Sequence, residues 1–167
     1  MRINPPTLFW ILIAAILAAY LFLPLERFDR AWLPWAGGAL TVLGIAISVA
    51  GKMRFQRAGT NVYTFQEPDK LVTDGLYAVS RNPMYLGLVL AGFGAALASA
   101  TAAALILAAV FALIVRYWDI AYEEEVMQRR FGAEYDAYCA RVRRWSGRRG
   151  HLQPAPRPAR PTEESQS

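Results

Sequence analysis

The sequence has one cysteine, Cys139, and one histidine, His151. That excludes a disulfide framework within the chain and leaves a Cys/His metal site short of ligands. Both residues read as structural or incidental. No strand-like run leads into a glycine-rich loop and a helix, so the signature of a soluble nucleotide-binding fold is missing too. Charge is absent from long stretches: none falls between Thr7 and Leu25, between Ala31 and Gly51, or between Pro83 and Val115.

What is present fills those stretches. The 167 residues are 55% hydrophobic, and the apolar ones lie in blocks separated by short polar segments, the pattern of a single membrane domain and not of a soluble one. Thr7 to Leu25 just spans a bilayer core of ~30 Å. A signal peptide is the alternative, but its basic start would be Arg2 alone, and Pro24-Leu25-Glu26-Arg27 follows instead of a small-residue cleavage site. The second block, Ala31 to Gly51, starts with Trp32, Pro34 and Trp35, as an interfacial belt would. Its Gly37, Gly38, Gly44 and Ala50 allow close approach of another helix. Lys52 to Arg81 reads as one long loop. Pro83 to Ala98 and Thr101 to about Trp118 form a tight antiparallel hairpin, with Ser99 or Thr101 available as a cap.

Beyond Trp118 the helical pattern continues: Met127, Phe131, Tyr135 and Tyr138 recur at helical spacing, with Gly132 as a place to bend. Val142 and Trp145 among Arg141, Arg143 and Arg144 suggest an amphipathic segment lying on the membrane. From Ser146 onward the chain is rich in Pro, Arg and Ser and reads as a disordered tail. The expected fold is therefore all-α and membrane-integral. It has about four transmembrane helices, a cytoplasmic C-terminal amphipathic helix, a domain over 1–145 and a tail over 146–167. Residues 141–167 carry seven Arg and two Glu. Beside a membrane domain, that charge suits anionic lipid headgroups better than nucleic acid.

The stretch from Lys70 to Gly87 is where the chain changes from polar loop to apolar run. Asp74-Gly75 reads as a turn. Pro83 suits the first position of a helix, which puts Arg81, Asn82 and Tyr85 at a helix N-terminus, where free N–H groups favour an anion. A plain membrane-entry turn is the alternative. Counted along the hairpin, Asn82 and Tyr85 lie level with Arg116, and Glu123 is about 10 Å beyond. Arg116, Asp119 and Glu123 share one helix face. The alternative for Glu123, Glu124 and Glu125 is a solvated charge run. Together the two walls would suit a ligand with a carboxylate and cationic groups, as S-adenosyl-L-methionine has. By helical phase, Glu123 shares a stripe with Met127 and Phe131, whereas Glu125 points about 200° away.

Three stretches then carry a resemblance. They are Leu71-Val72-Thr73-Asp74-Gly75-Leu76-Tyr77, Arg81-Asn82-Pro83-Met84-Tyr85-Leu86-Gly87, and Glu123-Glu124 followed by Met127, Phe131-Gly132, Tyr135, Tyr138, Val142 and Arg144-Trp145. In this order they resemble the isoprenylcysteine carboxyl methyltransferase and phospholipid methyltransferase superfamily, over about residues 59–145. The resemblance implies a membrane methyltransferase using S-adenosyl-L-methionine on a lipophilic acceptor, either a phospholipid headgroup amine or an isoprenylcysteine-like carboxylate. It implies cofactor contacts at Asp69, Lys70, Leu71, Val72, Tyr77, Asn82, Pro83, Met84, Tyr85, Glu123 and Glu124. Arg81, Arg116 and Asp119 are candidates for the substrate side, and no catalytic residue is assigned. Carboxyl methyltransferases typically have His where this chain has Asn82, and a substrate-binding Arg where it has Asp119. Both departures argue against a prenylcysteine carboxylate.

Two other classes compete. A small transporter would be expected to carry an ionisable residue deep in a span, and the first three blocks have none. A non-catalytic four-helix adaptor would make the paired motifs a coincidence.

Orientation follows from charge. With four spans, sixteen of the eighteen Lys and Arg fall on the side of the N-terminus, the long loop and the C-terminal region; only Arg27 and Arg30 lie opposite. The positive-inside rule makes that side cytoplasmic, in a cell inner or plasma membrane. Reporter fusions after Arg30 and after Arg149 should report opposite sides; finding both on one side would refute this topology.

Overall fold

The structure, a computed structural model, describes residues 4–22, 27–59 and 69–148. The described residues form helices α1 (Pro5–Phe22), α2 (Leu33–Arg57), α3 (Pro83–Ser99), α4 (Ala102–Ile114), α5 (Ile120–Phe131) and α6 (Ala133–Arg141). A 3-10 turn, Gly75–Ala78, precedes α3, and a π-turn, Val115–Asp119, joins α4 to α5. Three continuous helical stretches are long and apolar enough to cross a membrane: Pro5–Phe22, Leu33–Arg57 and Ala102–Phe131. α3 is apolar but shorter. The Pro24-to-Glu26 stretch, part of the long loop (60–68) and most of the tail (149–167) lie outside the described residues.

α3 is the central helix, and its composition explains why. Without water to drive association, membrane helices gain from packing backbones closely, which small residues permit. α3 presents Gly87, Ala91, Gly94 and Ala98 to Gly37 and Gly44 of α2, and Pro83 and Met84 to Gly51. A Cβ on Gly44 would sit 2.5 Å from the Gly87 carbonyl oxygen, and one on Gly51 2.9 Å from Cγ of Met84. The α2 glycines of the seam fall at every seventh residue, with Thr41 against Gly94 and Ser48 against Gly87 between them. This corrects the expectation at two positions: Gly38 has nothing near it and Ala50 is exposed, while Gly51 belongs to the seam.

The other sides of α3 meet α1 and α4. Phe9, Leu12 and Ile16 pack with Tyr85, Ala91, Ala104, Ala108, Phe111, Val115 and Ile120. Large apolar side chains elsewhere point outward, Trp35 at 83% exposure, as lipid-facing residues do. The α3–α4 hairpin turns on Ala100, which adopts a left-handed φ of 52°. Thr101 is the cap of α4, its Oγ1 accepting from the Ala104 N–H at 3.3 Å.

Two further expectations change. α2 runs on through Lys52 to Arg57, since Lys and Arg are good helix formers and Gly51 still packs on Met84. The segment after α6 does not lie flat as an amphipathic helix. Val142 is buried with Tyr135 and Tyr138, and Trp145 packs against the main core. The chain then reverses at Gly147 (φ 99°), with the Arg143 N–H donating to the Gly147 carbonyl (2.9 Å) and the Gly147 N–H to Val79 (2.8 Å). Residues 142–148 are thus a strap across the 3-10 turn, and a boundary after 145 falls inside it.

Gly44→Ala should destabilise the protein by about 1–3 kcal/mol, since the methyl has only backbone to push against, whereas Gly38→Ala should change little. Thermal unfolding of both variants in detergent checks this.

Candidate functional site

Three pieces of chain converge where α3 begins: the loop from Leu71 to Asn82, α5 and the strap. Tyr138 on α6 pins the first piece by donating to the Tyr77 carbonyl at 2.7 Å. The Tyr77 ring sits edge-on to Phe55 of α2, with centroids 4.8 Å apart. Arg54 and Asp74 form an ion pair beside it, and the guanidinium holds the Asp74 carboxyl below its usual range. The Asn82 amide does not cap α3; it donates to the Arg144 carbonyl at 3.3 Å. The Arg81 N–H donates to the Arg143 carbonyl at 3.1 Å.

At the centre are two adjacent carboxylates with different partners. Glu124 takes both arginines: Arg81 Nη2 lies 3.1 Å from its Oε1, and Arg144 donates through Nε (3.1 Å) and Nη2. The hydrogen bond to Glu124 raises the Arg144 pKa above its ordinary value. Arg81 also places Nη1 against the Sγ of Cys139. Glu123 faces Tyr85 instead, accepting from its hydroxyl at 2.6 Å. Among the described residues this neutral hydroxyl is the one hydrogen-bond partner of Glu123. Burial first, and then the Glu123 charge, push the Tyr77 hydroxyl well above its ordinary pKa, so Tyr77 stays neutral near the same carboxylate. Asp119 is 7% exposed and lies one turn before Glu123 on the same face.

The hairpin count therefore misplaced one level. Tyr85 meets Glu123, not the level of Arg116. Side chains lean toward a helix's N-terminus, which carries the Tyr85 hydroxyl past the start of α3. The π-turn, with i→i+5 spacing, also resets the register of α5. Arg116 lies away from the arginine pair, with Cζ 5.3 Å from the Tyr117 ring centroid.

The remaining sequence candidates scatter. Asp69 and Lys70 are exposed, beside the undescribed 60–68. Leu71 packs on the Tyr135–Tyr138–Val142 cluster, and Val72 and Pro83 are buried. Met84 turns toward Gly51 of α2. Sequence reasoning missed Arg144 as the second arginine on Glu124 and Cys139 as a neighbour of Arg81. For Arg144, the available signal was a cation recurring beside a Trp after a Glu-Glu pair.

Comparisons with known proteins bear on this arrangement. The phospholipid methyltransferase family model matches residues 32–134. Protein-S-isoprenylcysteine O-methyltransferase B of Arabidopsis thaliana is 29% identical over 116 residues, covering 66% of this chain and 57% of that protein. Among solved structures, the eukaryotic intramembrane Ras methyltransferase ICMT (isoprenylcysteine carboxyl methyltransferase), determined without a monobody, has the same fold. The TM-score is 0.63 at 21% identity, over 84% of this chain and 50% of that one. The chain thus spans about half the length of the relatives it matches. The apolar helices and this likeness of fold make it an integral membrane protein.

Glu124→Gln should cost about 1–3 kcal/mol, because two partly buried guanidinium groups lose their counter-charge. Arg144 is a third exposed, which keeps the loss below that of a fully buried pair. Thermal unfolding should show Glu124→Gln well below Glu123→Gln.

Proposed function

The chain belongs to the phospholipid methyltransferase family, and from that premise we propose that it is a membrane methyltransferase taking S-adenosyl-L-methionine as donor and a lipophilic molecule as acceptor. The observation that carries this reading is the pairing of Glu123. A partly buried carboxylate with a hydroxyl as its hydrogen-bond partner, beside a second acid on the same helix face, fits a ligand that brings a cation. The ammonium of S-adenosyl-L-methionine meets that requirement, and the α3 N-terminus suits its carboxylate. When bound, the donor supplies an electrophilic methyl on a sulfonium, which an acceptor nucleophile takes directly.

The roles of the chain's own residues follow. Glu123 holds the cation and Tyr85 orients Glu123. Tyr77 and Val72 shape the wall next to them. Asp69, Lys70 and Leu71 extend that wall, and Asn82 to Met84 fix the helix start. Glu124, Arg81 and Arg144 keep the loop, α5 and the strap in register, so positioning supplies much of the rate. No acid–base residue is required by this scheme. An acceptor from the bilayer suits a site at the end of apolar helices. The charge asymmetry supports cytoplasmic termini in a cell inner or plasma membrane. Likeness to two methyltransferases favours this reading over an adaptor or a transporter.

Glu123→Gln should weaken S-adenosylhomocysteine binding more than tenfold, since losing one partner of a desolvated charge pair costs about 2–5 kcal/mol. Tyr85→Phe should weaken it less, and Glu125→Gln hardly at all. Calorimetric titration of the three purified variants decides; equal affinities for all would refute the site.

A further inference from the structure

The outer face of the π-turn and α5 carries an aromatic groove that methyl transfer at Glu123 does not use. Tyr117, Trp118, Ala121, Tyr122 and Glu125 line it, and it is open, with a volume of about 330 Å³. Tyr117 is 66% and Trp118 64% exposed. Glu125 points roughly 200° away from Glu123 around the helix. It is exposed and forms no ion pair among the described residues. About 20 residues cross the ~30 Å hydrocarbon core, so the helical stretch that starts at Ala102 leaves the core near Ala121. The groove straddles that edge, with Tyr122 and Glu125 on the water side. An interfacial belt accounts for the rings but not for an unpaired acid beside them.

The same chain contains a segment of matching chemistry. Pro154, Pro156, Pro158 and Pro161 enclose Ala155, Arg157, Ala159 and Arg160, and no acid occurs between Arg148 and Glu163. Such a sequence favours polyproline II, which is preformed and therefore loses little entropy on docking into an aromatic-lined groove. Three residues per turn place Pro158 and Pro161 on one edge, and Arg157 and Arg160 on the next. Proline rings suit flat aromatic faces, and a guanidinium suits both a carboxylate and the face of a Trp or Tyr. The segment also reaches. Arg148 is tied to the Ala78 carbonyl at 3.4 Å, and Arg144 sits on Glu124, the neighbour of Glu125. From there residues 149–153 span up to about 17 Å when extended, whereas a helix is about 10–12 Å across.

We propose that residues 154–161 of this chain dock in the groove, with prolines on Tyr117, Trp118 and Tyr122 and an arginine on Glu125. The docked segment follows directly on the strap, which is then held at its outgoing end as well. This docking is independent of methyl transfer.

The test is backbone amide NMR relaxation of the full chain in micelles of a zwitterionic detergent, which gives a basic segment no net charge to bind. Order parameters of Ala155, Arg157, Ala159 and Arg160 should exceed about 0.6, the upper bound for a flexible backbone. Glu125→Lys should bring Ala155 and Ala159 below that bound, and so should Arg157→Glu with Arg160→Glu, which leaves every described residue intact. Combining the three substitutions should restore the order. Glu125 is exposed, and the thermal midpoint of Glu125→Lys verifies its fold. Tenfold dilution should change nothing, because a tethered segment meets its site at a fixed effective concentration. Low order parameters in the parent protein would overturn the docking. Order that survives either charge reversal, or that the combined variant does not regain, would overturn the pairing with Glu125. Order lost on dilution would assign the segment to a second copy and overturn docking within the chain.

Discussion

Glu124 is the charge on which the site's assembly depends. A carboxylate at the end of an apolar helix is costly unless paired, and here two arginines pair with it, one before α3 and one in the strap. Three segments far apart in sequence are thereby held at one point. The pairing also sorts the acids. Because Arg81 and Arg144 both go to Glu124, Glu123 is left to a tyrosine hydroxyl. Two neighbouring glutamates on one helix thus have different partners: one joins three segments through arginines and the other meets a single tyrosine hydroxyl.

That sorting needs α3 to be where it is. The helix bearing Tyr85 is slim, and its glycines bring it against α2 at backbone contact. The same helix gives its other sides to α1 and α4. A bulkier α3 would stand off from all three neighbours, and the Tyr85 hydroxyl would no longer reach α5. The seam lies within the apolar region and the site at its edge, so packing in one sets geometry in the other.

Much of this was legible in the sequence. The uncharged blocks marked the helices, Pro83 marked the start of α3, Ser99 or Thr101 the cap of α4 and Gly132 the break before α6. The inward phase of Glu123 followed from 100° per residue. The rest had physical reasons to stay hidden. Nothing in Val115 to Asp119 announces a π-turn, yet it shifts the register of every later residue. Gly37 and Gly38 are indistinguishable until the partner helix is known. Glu123 and Glu124 differ by a single step of rotation, and only the arginines reveal which one is claimed. Arg144 reads as one more cation in a basic segment until the reversal at Gly147 turns it back onto α5.

The strap also carries a consequence for the order of events during synthesis. Its contacts join residues far apart in the chain: Asn82 with Arg144 at a separation of 62, and Ala78 with Arg148 at 70. α1 to α4 can insert and pack around the glycine seam while the strap is still inside the ribosome, since none of their mutual contacts involves it. Glu124 emerges 20 residues before Arg144. For that interval the acid has one arginine, and for the first 14 residues of it the loop bearing Tyr77 also lacks its Tyr138 anchor. The membrane-embedded body is thus formed before the strap closes over the 3-10 turn, and a stall in translation after α5 would leave an inserted but incomplete protein.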